Sequence, residues 1–200
     1  MTRPEALNIL QSLTQSISLL RHARTVELVM EAYAEKLGEP KEEWAVTGLL
    51  HDADYEAFPD QHPNIIVEKL KGLGEPKVAH AISAHYTKWN VPYETALDKA
   101  LLACDELTGF IVACCQVRPD GITSLETKSV IKKLKDKGFA AKVDRDEVYK
   151  GAEHLGVSLP DHIGFIIEVL RKNRVELGIW LERNWSIPFR KFHYSLHLFN

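Results

Sequence analysis

GLLHDADYEAF, residues 48–58, sets His51 beside Asp52 directly after an apolar run that ends a helix. Burying either polar group without a partner costs roughly 2–7 kcal/mol, and more if it is charged. A chain that carries both at such a point must compensate, with a hydrogen-bond network or with a metal. The surrounding sequence says what scaffold holds them.

Upstream, His22, Val26, Val29, Met30, Tyr33 and Leu37 recur mostly at steps of three and four from Ile17 onward, and Gly38 stops that helix. Trp44, Gly48 and His51 share one side of a helix over 41–51. Downstream, Asp60-Gln61-His62-Pro63 reads as a helix start with Pro63 in the first turn, running to about Lys71. Glu75-Pro76 opens another helix through about Tyr86, with Val78, Ala81, Ile82 and His85 on one face. A longer helix over about 93–115 carries Leu97, Leu101, Cys104, Asp105 and Thr108. Arg118-Pro119-Asp120-Gly121 is a turn. Thr123–Glu126 and Asp144–Glu147 have the form of capping boxes and predict helices at about 124–136 and 145–155, and a last helix begins near Pro160.

No stretch alternates like a strand. The expectation is an all-α, single-domain helical bundle over residues 1–172, its site core at about 18–115. Residues 173–200 form a C-terminal tail that gathers Trp180, Trp185, Phe189, Phe192, Tyr194 and Phe199 without a period. The tail could pack across the bundle, form a dimer contact or lack order, so a homo-oligomer stays open.

The bulk composition suits a soluble domain. Apolar residues make up 45% and charged residues 26% of 200, enough for a sizeable core. A net charge of −3 argues neither for nucleic acid nor for an acidic membrane surface. Cys104, Cys114 and Cys115 are an odd number with two adjacent, which suits a reducing compartment better than a disulfide framework. With no signal-peptide pattern and no apolar run near the ~20 residues a membrane span needs, a cytoplasmic location is expected.

Four segments each put a polar residue on an apolar face: His22, His51 with Asp52, His85, and Asp105. His51 and Asp52 stand about 100° apart around their helix, so both can reach one ion in the arc between them. One inward histidine is ordinarily a hydrogen-bonded core residue. Several on separate inward faces suggest a shared partner at the centre of the bundle. Imidazole and carboxylate together suit divalent Mn, Fe, Co, Ni or Zn. His80, His154, His162, His193 and His197 lack such a pattern and are read as surface, core or tail residues, and the cysteines as packing.

Three stretches together, RHARTVELV, GLLHDADYE and ALLACDELTG, resemble the HD superfamily of metal-dependent phosphohydrolases, all-helical proteins named for the His-Asp doublet. The order DELTGFIVACCQVRP, then KSVIKKLKDKGFAAKV, is similar to a small stand-alone branch of predicted HD hydrolases and extends the likeness to about residue 172. The resemblance implies His22, His51, Asp52 and Asp105 as ligands of a first metal. It implies His62 and His85 as added ligands where a second is held, with Asp52 bridging, so one or two divalent ions. His62 has a rival role as an exposed residue at the start of its helix.

Two departures matter. HYTKWNVPYE stands where cyclic-dinucleotide phosphodiesterases of the family carry Gly-Tyr-Pro. Tyr55 stands where many HD enzymes have an assisting lysine or glutamate, leaving Asp54, Tyr55 and Glu56 as candidates. The implied activity is cleavage of a small phosphorylated substrate, a nucleotide or related ester, by metal-activated water, with Asp52, Asp105 and Glu56 as catalytic candidates. Counter-charge for phosphate is expected from Arg24, Arg118 and Lys132, the last on a lysine-rich helix also flanked by Arg145, most of whose lysines are a solvated face. The alternative is a regulatory HD module that binds metal and nucleotide without turnover. Nucleic acid is disfavoured, since no aromatic residue interleaves the lysines of 128–137.

Overall fold

Thr2 and Glu5 open the first helix, α1 (Arg3–Leu13): the Glu5 carboxylate accepts both the backbone N–H and the hydroxyl of Thr2 at 2.8 Å. The sequence reading placed nothing there. Helix α2 (Ile17–Leu37) has the bounds its periodicity predicts, and Gly38 ends it at φ 75°, a left-handed conformation that favours glycine. Then follow α3 (Lys41–Leu50), α4 (Asn64–Gly72), α5 (Pro76–His85), a single 3-10 turn (Thr87–Trp89) and α6 (Ala96–Gln116). The chain continues through α7 (Thr127–Leu134), α8 (Arg145–Leu155), α9 (Leu159–Lys172) and the short α10 (Arg174–Leu177). The computed structural model describes residues 1–179, and among these there is no strand. No helix among them is long and apolar enough to cross a membrane. The three cysteines are free and buried.

Helix α2 lies along α3 and α6, α5 packs on α4 and α6, and α8 covers the far side of α6. Val26, Val29 and Met30 of α2, Trp44, Leu49 and Leu50 of α3, Ile66 and Leu70 of α4, Ile82 of α5 and Leu101 and Leu107 of α6 fill the space between. Two glycines set how closely these helices approach. A Cβ at Gly48 would lie 2.9 Å from the Glu27 backbone on α2, and one at Gly151 would lie 2.6 Å from the Ala103 Cα on α6.

Buried polar groups in this core are paired across helices. The Glu27 carboxylate, inaccessible to solvent, holds Arg3 of α1 and Arg24 of its own helix, the latter at 2.8 Å. His162 of α9 accepts from the Tyr33 hydroxyl at Nδ1 (2.6 Å) and donates from Nε2 to the Ala103 carbonyl (2.8 Å). Both its nitrogens are thereby used, as expected for a core histidine with no role at a site.

Helices α4, α6 and α7 start later than expected, at Asn64 (with Pro63 as N-cap rather than in the first turn), Ala96 and Thr127. Helix α8 starts at Arg145 as expected but with a different cap. Helix α7 begins at Thr127, not near 124, because residues 122–125 answer to distant partners. Ile122 N–H donates to the Ile179 carbonyl (3.0 Å), Arg118 donates to the Ser124 hydroxyl (2.5 Å) and Arg171 to the Leu125 carbonyl (2.7 Å). At α8 the Asp144 carboxylate caps the N–H groups of Asp146 and Glu147, but the box is not reciprocated. Glu147 turns to the Thr87 hydroxyl (2.6 Å), and the Asp144 N–H goes to Glu106 (3.3 Å). Of the stretch 173–200, residues up to Ile179 pack on the bundle; 180–200, with the aromatic cluster, lie outside the described residues.

Candidate metal centre

Helix α3 ends at Leu50, and residues 51–57 descend through successive turns, with Ala53 N–H on the Leu50 carbonyl and Tyr55 N–H on the Asp52 carbonyl. This segment is fastened to the α1–α2 linker. The Thr14 hydroxyl donates to the Ala53 carbonyl (2.9 Å), and the Glu56 carboxylate accepts from the N–H groups of Gln15 (2.7 Å) and Ser16 (2.9 Å). The His-Asp doublet is therefore held from both sides, by the core behind it and the linker beyond it.

Around the doublet, side chains from α2, α3 and α6 converge. His22 Nε2 lies 3.1 Å from His51 Nε2 and 2.9 Å from Asp105 Oδ1. His51 Nε2 lies 3.2 Å from Asp105 Oδ1 and 3.4 Å from Asp52 Oδ2. A second group forms on the other side of Asp52, whose Oδ1 is 3.3 Å from His62 Nε2 and 3.7 Å from His85 Nε2. The two sets, His22-His51-Asp52-Asp105 and Asp52-His62-His85, each bring their ligand atoms within 4.8 Å of one another. Asp52 belongs to both, one oxygen facing each.

The chemistry of the donors fits a cation. His51 Nδ1 donates to the Gly48 carbonyl (2.8 Å) and His85 Nδ1 to the Ile82 carbonyl (2.5 Å). Each neutral ring then presents a lone pair at Nε2, facing carboxylate oxygens that are also acceptors. Acceptors packed this closely repel unless a positive charge lies among them. At metal–ligand distances near 2.1 Å, neighbouring ligands sit about 3.0 Å apart in an octahedron and about 3.4 Å apart in a tetrahedron. The closest separations in the first group, 2.9–3.4 Å, cover that range.

The electrostatics point the same way. Burial pulls the His51 imidazole down, but Asp52 and Asp105 outweigh it and hold the ring well above its ordinary pKa. Burial likewise opposes ionisation of Asp52 and Asp105, yet the facing histidines keep both carboxyls well below the usual carboxylate range. The pocket stabilises a positive charge, whether proton or metal ion, and a metal would displace the proton.

Beneath the ligands lies a supporting carboxylate. Asp54, inaccessible to solvent, accepts from His62 Nδ1 (2.7 Å) and from the Ile66 N–H (2.9 Å). This carboxylate–histidine pairing fixes which nitrogen of His62 faces Asp52. His62 is buried, which corrects the exposed alternative for it. From sequence Asp54 is a candidate only for assisting chemistry; its spacing to His62 carries no helical or strand signal, since turns separate them.

Four expected site residues are placed elsewhere. Glu56 is committed to the linker amides of Gln15 and Ser16 rather than to the centre. Arg24 lies about 200° around α2 from His22 and is spent on Glu27 and on Glu176 (2.6 Å). Arg118 is about 20 Å along α6 from Asp105, held by Asp120 and Ser124. Lys132 is exposed on α7, a helix that packs on α9 and the end of α6. Arg145 donates to the carbonyls of Ala140 and Val143 (2.7 Å each), shaping the loop before its own helix. The sequence reading also passed over Glu106, which burial, with Asp105 and Glu147 beside it, pushes up to about 8.

Residues 19–109 match the family model described as HD domain, a stretch that runs from just before His22 to just after Asp105 and contains both ligand groups. No curated protein and no solved structure matches the chain. Family model, all-helical fold and clustered histidines and aspartates agree: residues 19–109 match an HD domain, which supports membership of the HD superfamily and implies a metal-dependent phosphohydrolase family.

Proposed function

We propose that this protein is a phosphohydrolase that holds two divalent ions and hydrolyses a small phosphate ester, a nucleotide or related compound. The observation that carries the reading is the division of the Asp52 carboxylate, one oxygen toward His51 and the other toward His62 and His85. His22, His51, Asp52 and Asp105 would hold one ion, and Asp52, His62 and His85 the other. When bound, such ions supply a nucleophilic water at neutral pH and neutralise charge on the phosphoryl oxygens.

The chain's own residues provide the rest. The Gly48 and Ile82 carbonyls and the Asp54 carboxylate fix the three ring orientations, so no ligand must reorganise during reaction. Asp52 and Asp105, about a quarter and a fifth exposed, are the ligand-group carboxylates that also reach solvent. They would orient the attacking water and keep its proton within reach of a carboxylate oxygen.

Binding without turnover has one observation in its favour. Tyr55 occupies the assisting position after the doublet, and Glu56 is engaged by Gln15 and Ser16. One experiment separates the two readings: elemental mass spectrometry of untagged protein purified without chelators, followed by metal-dependent hydrolysis of a chromogenic phosphate ester by wild type and Asp105→Ala. Two equivalents of metal and turnover lost in the variant are expected. Metal without turnover selects the binding module, and neither metal nor uptake on reconstitution overturns both.

A further inference from the structure

Beyond the ligands, a line of aromatic rings leads from the second ligand group to the surface. The His62 ring meets Tyr55 at 5.5 Å and Tyr86 at 5.4 Å between centroids, with interplanar angles of 83° and 85°. Tyr86 in turn meets Trp89 at 5.9 Å and 88°. Exposure rises along the line: His62 is buried, Tyr86 half-buried and Trp89 39% exposed, while Tyr55, also against His62, is 49% exposed.

These rings are exposed and yet fixed. Trp89 sits on the 3-10 turn Thr87–Trp89, closed by Asn90 at φ 52°, whose N–H returns to the Thr87 carbonyl (3.1 Å). The Thr87 hydroxyl fastens the same turn to Glu147 on α8 (2.6 Å). Lys88 lies between, with its ammonium 5.4 Å from the Tyr86 ring centroid. Trp89 is thus a fixed, half-exposed indole one ring away from His62, with a lysine ammonium over the intervening Tyr86 ring. Its chemistry suits a planar aromatic ring attached to an anion.

We propose that Trp89, braced edge-on by Tyr86, is the stacking face for the base of a nucleotide whose phosphate lies at the ligand cluster, with Lys88 supplying counter-charge at the rim. The inference rests on the phosphohydrolase reading for the position of the phosphate. It also accounts for the source of positive charge, since Arg24 and Arg118 are held by other partners. The subsite selects aromatic over purely sugar phosphates. Stacking is tolerant of base identity because every base has a π face, so preference among bases is weak.

The test is equilibrium binding by calorimetry of adenosine 5′-monophosphate and of ribose 5-phosphate to the metal-reconstituted full chain. Wild type, Trp89→Ala and Trp89→Phe are compared. Wild type should prefer the nucleotide by about 5- to 150-fold, the span expected for one stacked base. Trp89→Ala should collapse that ratio toward one and Trp89→Phe should restore most of it. A wild-type ratio near one, a ratio unchanged in Trp89→Ala, or binding of neither phosphate overturns the subsite; if Trp89→Ala does not fold, Lys88→Met must weaken both ligands for the subsite to stand. Because the readout is binding, a protein that turns over no ester fails the phosphohydrolase reading while leaving the stacking ratio measurable.

Discussion

His62 Nδ1 donates a 2.7 Å hydrogen bond to Asp54 Oδ1, while the opposite nitrogen of the same ring stands 3.3 Å from Asp52. One aspartate thus aims the ring that another shares a site with. Asp54→Asn keeps an acceptor for either His62 or the Ile66 N–H but loses the charge. It should weaken the second metal site by about 10- to 100-fold. Metal titration followed by calorimetry should show the weaker of two sites lost and the tighter one kept. Equal loss at both would mean that Asp54 supports the fold and not the ligand.

Asp52 and His85 should behave differently on removal. His85 belongs to one ligand group, so His85→Ala should reduce bound metal from two equivalents to one. Asp52 belongs to both, so Asp52→Ala should lower occupancy at each. Elemental analysis of the two purified variants, with circular dichroism as the control for folding, decides it.

Glu56 carries an expectation that the structure redirects. Its carboxylate serves the amides of Gln15 and Ser16. Glu56→Ala should therefore cost about 1 kcal/mol of stability in urea unfolding and retain wild-type hydrolysis. A loss of turnover in a fully folded variant would return Glu56 to the catalytic set.

His162 gives the stability a pH dependence of known sign. Burial, against the Ala103 carbonyl that favours the protonated ring, pulls its pKa down to about 4 from an ordinary 6.5. Between those values the unfolded chain holds a proton that the folded chain does not, so stability falls as pH drops from about 6.5 to about 4 and levels off below. At pH 5 the loss relative to pH 7.5 is on the order of 2 kcal/mol. Urea unfolding in the presence of chelator should show that difference in wild type and its absence in His162→Gln, other acid-sensitive groups being common to both.

The sequence made the scaffold legible where local rules act alone. Helix α2 follows from apolar spacing and Gly38, and both ends come out as expected. The inward histidines were visible because each interrupts an apolar face, a signal that survives without knowing its neighbours. Charge roles were not visible for the opposite reason. Arg24 finds Glu176, Glu56 finds Gln15 and Ser16, and Leu125 finds Arg171, all partners far away along the chain. The box at Thr123–Glu126 misleads in the same way, since Arg171 takes the Leu125 carbonyl that a helix starting there would offer to the Ser129 amide, which goes to Glu126 instead.

The Glu27 carboxylate draws on Arg3 at one end of the described chain and, through Arg24, on Glu176 at the other. Contacts between chain neighbours such as α2 and α3 close short loops, whereas Glu176 must return across nearly the whole chain. The ligand-bearing helices can therefore assemble before α10 arrives, and its arrival latches a charge already enclosed. Removing Arg3 or Glu176 would each take one member from this run of ion pairs while Arg24 and Glu27 stay joined, so both residues act as closing pieces of the bundle.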